Sequence, residues 1–280
     1  MLTRTDGIVL RTIPFGEADL IVTYLTSDYG LVKTFAKSPR KIKSRFGSSL
    51  EPLTHARISF WGKEDAALPR LTQSDIIDTF HHLRDNIHRF LRVSEIVELT
   101  LQFLPERDAN KRVYSLLLET LKAVERQQEI PAGHAGVSRT TQSLPIVSDN
   151  GKGVLTESMI LDQYKVRFLE LAGFAPKLDA CGRCGRSGYS FFLSHGAILC
   201  EECIRTLEAM TPGNGSAIRL SPAVARFYKD LLTWEVTKIS RLKPSDTLYA
   251  ELSRVLNAHI QFILAKPLKT RTFPQTIKMD

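Results

Sequence analysis

Short runs of hydrophobic and β-branched residues fill the first 80 positions of the chain, and turn-forming stretches rich in Gly, Pro, Asp and Ser separate them. Several runs alternate. Ile58 and Phe60 share one face of their run, whereas Arg57, Ser59 and Trp61 share the other. A period of two is typical of a half-buried strand. Five strands are therefore predicted, at residues 7–13, 20–27, 31–38, 55–63 and 68–78.

From about residue 81 the hydrophobic positions step by three and four, which is typical of amphipathic helices. One predicted helix stops at Gly173 and Pro176, and the last stops before Pro267. Residues 130–157 are rich in Gly, Ser, Thr and Pro without a sustained period, so a surface loop or mobile insertion is predicted there. The predicted helices cover residues 87–104, 113–124, 161–171, 224–231 and 248–262.

Positive charge is concentrated around the third predicted strand. The chain has a net charge of +8, and residues 37–52 contain no acidic side chain before Glu51. Six basic side chains fall within thirteen positions: Lys33, Lys37, Arg40, Lys41, Lys43 and Arg45. Such unbalanced charge beside a barrel strand favours binding of nucleic-acid phosphates, with a solvated basic loop as the alternative.

Aromatic residues accompany this charge. Phe35 lies between two lysines on one face of its strand, and Tyr29, Phe46 and Trp61 lie in or beside the same predicted barrel. Cations that follow a phosphate backbone and aromatics that stack on bases together favour single strands. Core packing nevertheless explains Phe35 and Trp61 better than stacking does. A second basic stretch extends this surface or stabilises the C-terminal end of a helix, through Lys266, Lys269 and Arg271.

The four cysteines of the chain form the pattern C-x2-C-x15-C-x2-C, at Cys181, Cys184, Cys200 and Cys203. Two residues between thiolates allow a tight turn to direct both sulfurs at one ion, and Gly182 and Gly185 supply the backbone freedom that such turns need. A hairpin with its bend at residues 194–196 is predicted between the two pairs. Four thiolates leave no open coordination position, so one structural zinc ion is predicted rather than redox chemistry.

The length of 280 residues favours two or three domains. The predicted fold is an α+β multidomain protein, with an N-terminal OB-fold β-barrel followed by an α-helical domain that contains an inserted four-cysteine zinc ribbon. The predicted boundaries are 1–80 for the OB-fold, 81–175 and 208–280 for the helical domain, and 176–207 for the ribbon.

The sequence contains no set of residues typical of a catalytic site. It lacks a phosphate-binding loop, a G-x-S-x-G or H-E-x-x-H motif and a carboxylate cluster, so a non-enzymatic protein is predicted. His81, His82 and His88 lie near a helix start, but adjacent positions do not share a helix face, which favours a solvated or capping role over metal ligation. Because a membrane span and a signal peptide are also lacking, a cytoplasmic location is expected.

Several stretches of the sequence are similar to one protein family. They include "GIVLRTIPFGEADLIVTYLTSDYGLVKTFAK", "KSRFGSSLEPLTHARISFW" and "LPRLTQSDIID", which resemble the N-terminal OB domain of the RecO family of bacterial recombination mediators. "FLELAGFAPKLDACGRCG" and "GAILCEEC" resemble its zinc ribbon, and "KPLKTR" resembles its C-terminal signature. The similarity follows the family's order from about residue 7 to residue 271.

The resemblance implies a protein that binds single- and double-stranded DNA, anneals complementary strands and pairs with RecR near the bacterial nucleoid. It further implies help in loading RecA onto DNA coated by the single-stranded-DNA-binding protein, through contact with that protein's acidic C-terminal tail. By position, the six basic residues would face DNA and the four cysteines would hold zinc. Two alternatives stay open: a zinc-containing RNA-binding or transcription-associated module, and an enzyme with its site in residues 130–157.

Overall fold

The structure is a computed structural model that describes residues 1–40, 44–63, 66–127, 151–210 and 217–271. Two of the predicted DNA-facing residues, Lys41 and Lys43, lie outside the described residues, as does most of the predicted loop. The described helices include none that is long and apolar enough to cross a membrane.

All five predicted strands are present, and they close into a barrel with the order β1-β2-β3-β5-β4. Ile58 and Phe60 are buried in the barrel, while Arg57 and Trp61 are exposed, as the alternation predicts. Ser59, which the alternation places on the outer face, is buried instead. A single turn of 3-10 helix at Gly47–Leu50 lies between the third and fourth strands. The strands are β1 (Leu2–Phe15), β2 (Asp19–Thr26), β3 (Gly30–Ala36), β4 (His55–Trp61) and β5 (Arg70–Asp78).

Seven helices follow among the described residues, and the one that begins at Gly151 packs against four others. The rings of Tyr164 and Phe168 on this helix are fully buried. The described helices are α1 (His81–Asp85), α2 (Ile87–Phe103), α3 (Lys111–Glu125), α4 (Gly151–Leu171), α5 (Glu201–Met210), α6 (Pro222–Thr233) and α7 (Asp246–Leu264). Short 3-10 turns occupy Leu193–His195 and Val236–Arg241.

The prediction of a loop over residues 130–157 is wrong for its last part, because α4 begins at Gly151. Glu157 in this part is buried and pairs with Arg89 at 3.2 Å and Arg92 at 2.9 Å, both on α2. Because the start of α4 is held by ion pairs, its sequence does not show the hydrophobic spacing of three and four residues from which helices are predicted. The remainder of the predicted loop, residues 130–150, lies outside the described residues.

One end of the barrel docks on the helices. The connection between α2 and α3 crosses β3, where the Arg107 amide donates to the Leu31 carbonyl at 2.9 Å. Gly30 has a φ of +62°, and a Cβ there would lie 2.1 Å from the Asp108 carbonyl oxygen, so only glycine permits this approach. A hydrogen bond of 2.8 Å between His55 Nε2 and the Tyr114 hydroxyl joins β4 to α3 at the same end.

A small three-stranded sheet lies beside the helices in the order β7-β6-β8. Its hairpin turns at residues 193–196, as predicted, whereas β8 and α5 were not predicted because β8 is short and α5 begins within the cysteine pattern. Phe191 of the sheet is buried against α7, where its ring meets His259 edge-on at 5.5 Å. The strands are β6 (Ser190–Phe192), β7 (Ala197–Leu199) and β8 (Ala217–Arg219).

The C-terminal basic stretch is anchored to α2. Glu98 accepts hydrogen bonds from the backbone amides of Lys269 at 2.8 Å and Thr270 at 2.9 Å. Arg271 donates to Glu95 at 2.7 Å, and Glu95 also pairs with the buried Lys165 at 3.0 Å. Of the two expectations for this stretch, these contacts favour a role in the fold for Arg271.

Candidate nucleic-acid interface and metal centre

The basic end of the barrel is the end opposite the helices. β3 finishes there at Ala36, and the chain leaves it through Ser38, whose amide donates to Asp19 at 2.7 Å and whose φ is +56°. Five exposed cations lie at or after strand ends on this side, and none forms an ion pair with another described residue. They are Lys37, Arg40, Arg45, Lys63 and Arg70.

Lys33 differs from the other described members of the predicted basic set. It is exposed on the same strand face as Lys37, but its ammonium forms an ion pair with Glu106 from the α2–α3 connection. The pair is half exposed on both sides, so it adds little stability, yet it cancels the charge that Lys33 would offer to a phosphate. Lys37, Arg40 and Arg45 are thus exposed without an ion pair to another described residue, whereas Lys33 is paired with Glu106.

Exposed aromatic side chains cross the basic end. In the strand register Trp61 pairs with Leu2 on one side and Arg70 on the other, and Arg70 in turn lies beside Phe35. The ring of Phe15 meets that of Phe35 edge-on at 5.9 Å. Trp61 is 60% exposed and Phe15 is 52% exposed. Leu2, Trp61, Arg70 and Phe35 thus lie in a row of neighbouring strand positions, with the Arg70 guanidinium between apolar side chains. This row lies next to the other unpaired cations.

Two expectations about the aromatic residues need correction. Trp61 does not pack in the core, because the outward phase of its strand, already visible in the alternation with Arg57, carries it to the surface. Phe46 cannot offer its ring to a base, since it is buried in the barrel core with Arg45 placed 4.9 Å above its centroid. Phe15 and Arg70 were missed, although both flank predicted turns.

At the docking end of the barrel, acidic side chains are paired with cations. Asp6 accepts a hydrogen bond from Arg57 at 2.8 Å, and Asp28 pairs with Lys111 at 3.2 Å. Asp28 is held by hydrogen bonds from Ser27, from Thr5 and from that lysine, which lower the pKa of its carboxyl group. Asp6 and Asp28 at this end are thus engaged in the fold.

The four cysteines come together as predicted, with all four sulfur atoms within 4.8 Å of one another. Zinc–thiolate bonds of about 2.3 Å in a tetrahedron would place the sulfurs about 3.8 Å apart. The Cys184 and Cys200 sulfurs are 3.5 Å apart, close to that value. Cys181 and Cys200 are buried beside Phe192 and Leu199, so the donor set is part of a small apolar core and could hold a metal ion.

The local backbone explains how the first pair is shaped. Gly185 has a φ of +76° and donates to the Cys181 carbonyl at 2.9 Å, which is the freedom that was predicted. Gly182 serves a different purpose: a Cβ there would lie 2.6 Å from that of Ala197, so glycine lets the turn lie against β7.

The electrostatics of the cluster favour thiolates at the first pair. Burial raises the pKa of Cys181, but the amides of Cys200, Cys184 and Arg183 outweigh it and lower that pKa to about 6. The Arg186 guanidinium, 3.4 Å from the Cys184 sulfur, lowers the pKa of Cys184. Deprotonated sulfur is the form that binds metal.

Comparison with known proteins agrees with this architecture. The family model "Recombination protein O N terminal" matches residues 1–80, and "Recombination protein O C terminal" matches residues 84–135 and 149–272. A DNA repair protein RecO from Thermodesulfovibrio yellowstonii is 40% identical over 93% of this chain and 92% of its own length. Proteins of the same name from Symbiobacterium thermophilum and Dehalococcoides mccartyi are each 27% identical, over 99% and 95% of this chain and 98% and 92% of their own lengths. Because both family models match in order over most of its length and a relative of that family is 40% identical, the chain belongs to the RecO family of DNA repair proteins.

Proposed function

We propose that this protein is a non-enzymatic recombination mediator that binds single- and double-stranded DNA through the basic end of its barrel and anneals complementary strands. One observation carries the proposal: exposed aromatic rings and exposed cations that have no ion-pair partner among the described residues share the barrel end opposite the start of α1. Cations without acidic partners keep their charge for phosphates, and binding releases the counterions of DNA. Lys41 and Lys43 belong to the same segment and remain predicted contacts.

The aromatic row supports binding of unpaired bases in addition to phosphates. Trp61 and Phe35 lie two strands apart, which is about 10 Å, with Arg70 between them. Exposed rings can stack on bases of any sequence, and each such contact is worth about 1–3 kcal/mol. Trp61→Ala should therefore weaken binding to single strands more than binding to duplexes, whose bases are already stacked.

The annealing step follows from charge. Two DNA strands repel each other, and a surface that neutralises phosphates on both reduces that repulsion while the bases find their partners. No bond is made or broken by the protein in this step. The protein's contribution is the placement of cations on one rigid barrel end.

The protein partners proposed here are RecR and the single-stranded-DNA-binding protein, with RecA loading as the outcome. The groove between α3, α4 and the end of α6 is the proposed tail site. Its lining combines Leu116 and Leu232 with the cations Lys111, Arg112 and Arg167 and with the acids Glu119 and Glu170. Arg112 is exposed and has no ion-pair partner among the described residues. Arg112→Glu should weaken binding of a peptide with the tail's sequence and leave DNA binding unchanged.

Zinc is the metal that we propose for the cysteine cluster. Cys181, Cys184, Cys200 and Cys203 would hold it, and four thiolates give it a structural role without an open position for substrate. The ion would fix the first cysteine pair to β7 and to the first turn of α5. It would thereby hold the small sheet in the shape that packs against α7.

Annealing of complementary oligonucleotides precoated with the single-stranded-DNA-binding protein tests the function. We expect the wild type to accelerate annealing and the variant with Arg40, Lys41 and Lys43 replaced by Ala to lose most of this acceleration. Replacing Arg226, Lys229 and Lys243, exposed cations of the helical region, removes the same charge and should leave annealing unchanged. If both variants lose the acceleration of annealing equally, the acceleration depends only on net charge, and a localised DNA site is refuted.

The same material separates the alternatives. Competition between DNA and RNA strands of equal length should show no preference for RNA, since no 2′-hydroxyl reader is proposed. A preference for RNA would favour the RNA-binding alternative. Nuclease and nucleotide-hydrolysis assays on zinc-loaded protein should show no turnover, and turnover would contradict the non-enzymatic proposal.

A further inference from the structure

A second group of potential metal ligands lies where the barrel joins the helices. His81 and His82 begin α1, and Glu125 ends α3. Their potential ligand atoms all lie within 4.8 Å of one another. The two imidazole centroids are 3.9 Å apart, and His81 Nδ1 is 3.9 Å from Glu125 Oε1. Within the described part of the chain, only this group and the four cysteines bring three or more such atoms together.

This geometry overturns the argument against ligation that the sequence suggested. Adjacent residues in a helix leave the axis in different directions, and His81 and His82 are the first two residues of α1. The centroids of their exposed rings nonetheless lie 3.9 Å apart. The spacing in sequence therefore does not exclude a shared ion.

Helix capping accounts for Glu125 but not for the imidazoles. Its two carboxylate oxygens accept the backbone amides of His82 at 3.2 Å and Leu83 at 3.1 Å, which fixes the carboxylate above the start of α1. Neither imidazole forms a hydrogen bond with any other described residue. Each exposed ring thus keeps a nitrogen lone pair available beside a carboxylate whose position is already set.

We propose that His81, His82 and Glu125 bind one divalent transition-metal ion, with water in the remaining positions. Imidazole nitrogen suits zinc, nickel and copper, whereas calcium and magnesium prefer sites made of oxygen alone. Metal–nitrogen and metal–oxygen bonds of about 2.0–2.2 Å require donors about 3 Å apart. The donors now lie within 4.8 Å of one another, so the two exposed histidine side chains would have to move closer to Glu125 to bind an ion.

Such an ion would act on the junction between the barrel and the helices. α1 follows directly from β5, and Glu125 lies at the end of a helix that also contacts the barrel through Tyr114. A metal bound to both would add a link between these elements. This site is distinct from the cysteine cluster in its residues and its chemistry, and it is independent of the proposed DNA surface.

Titration with Ni²⁺ tests the proposal. Tag-free protein, with its cysteine cluster filled by zinc, is titrated calorimetrically while a chromophoric chelator reports any released zinc. We expect one equivalent of Ni²⁺ to bind without zinc release, and His81→Gln and His82→Gln each to weaken this binding at least tenfold. His88→Gln, an exposed histidine on α2, is the matched control and should bind as the wild type does.

Several outcomes would overturn the proposal: no Ni²⁺ equivalent, release of zinc in proportion to Ni²⁺, or the same loss in His88→Gln. As an independent readout, one equivalent of Cu²⁺ should give an electron paramagnetic resonance spectrum with nitrogen hyperfine structure. That structure should disappear in the double variant with His81 and His82 replaced by Gln. Its persistence there would place the ion elsewhere.

Discussion

The ion pair between Lys33 and Glu106 allows the position of the DNA to be tested by adding a phosphate contact. Lys33 shares its strand face with Lys37, but Glu106 cancels its charge. Glu106→Gln removes the carboxylate and leaves the backbone bridge between residues 31 and 106 in place. If DNA crosses this face, the freed ammonium becomes available to a phosphate.

The expected size of the effect follows from counterion release. Each phosphate neutralised on a single strand contributes about −0.7 to the slope of log affinity against log salt concentration. Glu106→Gln should therefore steepen the slope by about 0.7, which is an extra factor of about 2.6 for each fourfold change in salt. The double variant with Lys33→Ala should return to the slope of the wild type, because a neutral pair is replaced by two neutral side chains.

Fluorescence anisotropy of a labelled oligothymidine at several salt concentrations measures this slope. Glu51→Gln is the matched control, since it removes a carboxylate from another exposed pair, with Arg84, and changes the net charge equally. We expect no change of slope in the control. If Glu106→Gln and Glu51→Gln behave alike, DNA does not lie across the outer face of β3, and the reasoning from strand geometry fails.

Three further predictions concern stability. Lys165→Met leaves the buried Asp162 without its partner at 2.9 Å and should cost about 3–5 kcal/mol in urea denaturation. Burial lowers the pKa of His55, so the unfolded chain takes up a proton below about pH 6.5 that the folded chain resists. The free energy of unfolding should consequently be highest above that pH and decrease as the pH is lowered. In His55→Gln it should depend less on pH in this range. Gly30→Ala should destabilise the protein by more than about 1 kcal/mol, and clearly more than Gly16→Ala, where φ is also positive but no atom lies within 4 Å of the new Cβ.

Local pattern was sufficient for much of the fold. The alternation in the first 80 residues predicts each barrel strand, because a barrel buries one face of every strand. It also places Trp61 on the face of the exposed Arg57, although core packing was the preferred interpretation of that ring. Spacing alone likewise predicts that the four cysteines meet, since each pair is held by a short turn and a hairpin brings the pairs together. These features depend on neighbours in sequence.

Other features depend on residues far apart in the chain. The neutralisation of Lys33 requires Glu106, and the start of α4 requires the burial of Glu157 against α2. β8 is three residues long and is defined by its pairing with β6, so it carries no sequence period of its own. Long-range pairing of this kind leaves no local signature, which is why only the structure distinguishes the paired Lys33 from the other exposed cations.

The most direct test of the account is the salt dependence of single-strand binding after the unpaired cations of the basic end are removed. The variant with Lys37, Arg40 and Arg45 replaced by Ala should show a slope shallower by about 2 than the wild type, at about 0.7 for each lost contact. The variant with Arg226, Lys229 and Lys243 replaced by Ala should keep the slope of the wild type. Parallel plots for all three proteins would contradict the claim that DNA is bound at the basic end of the barrel.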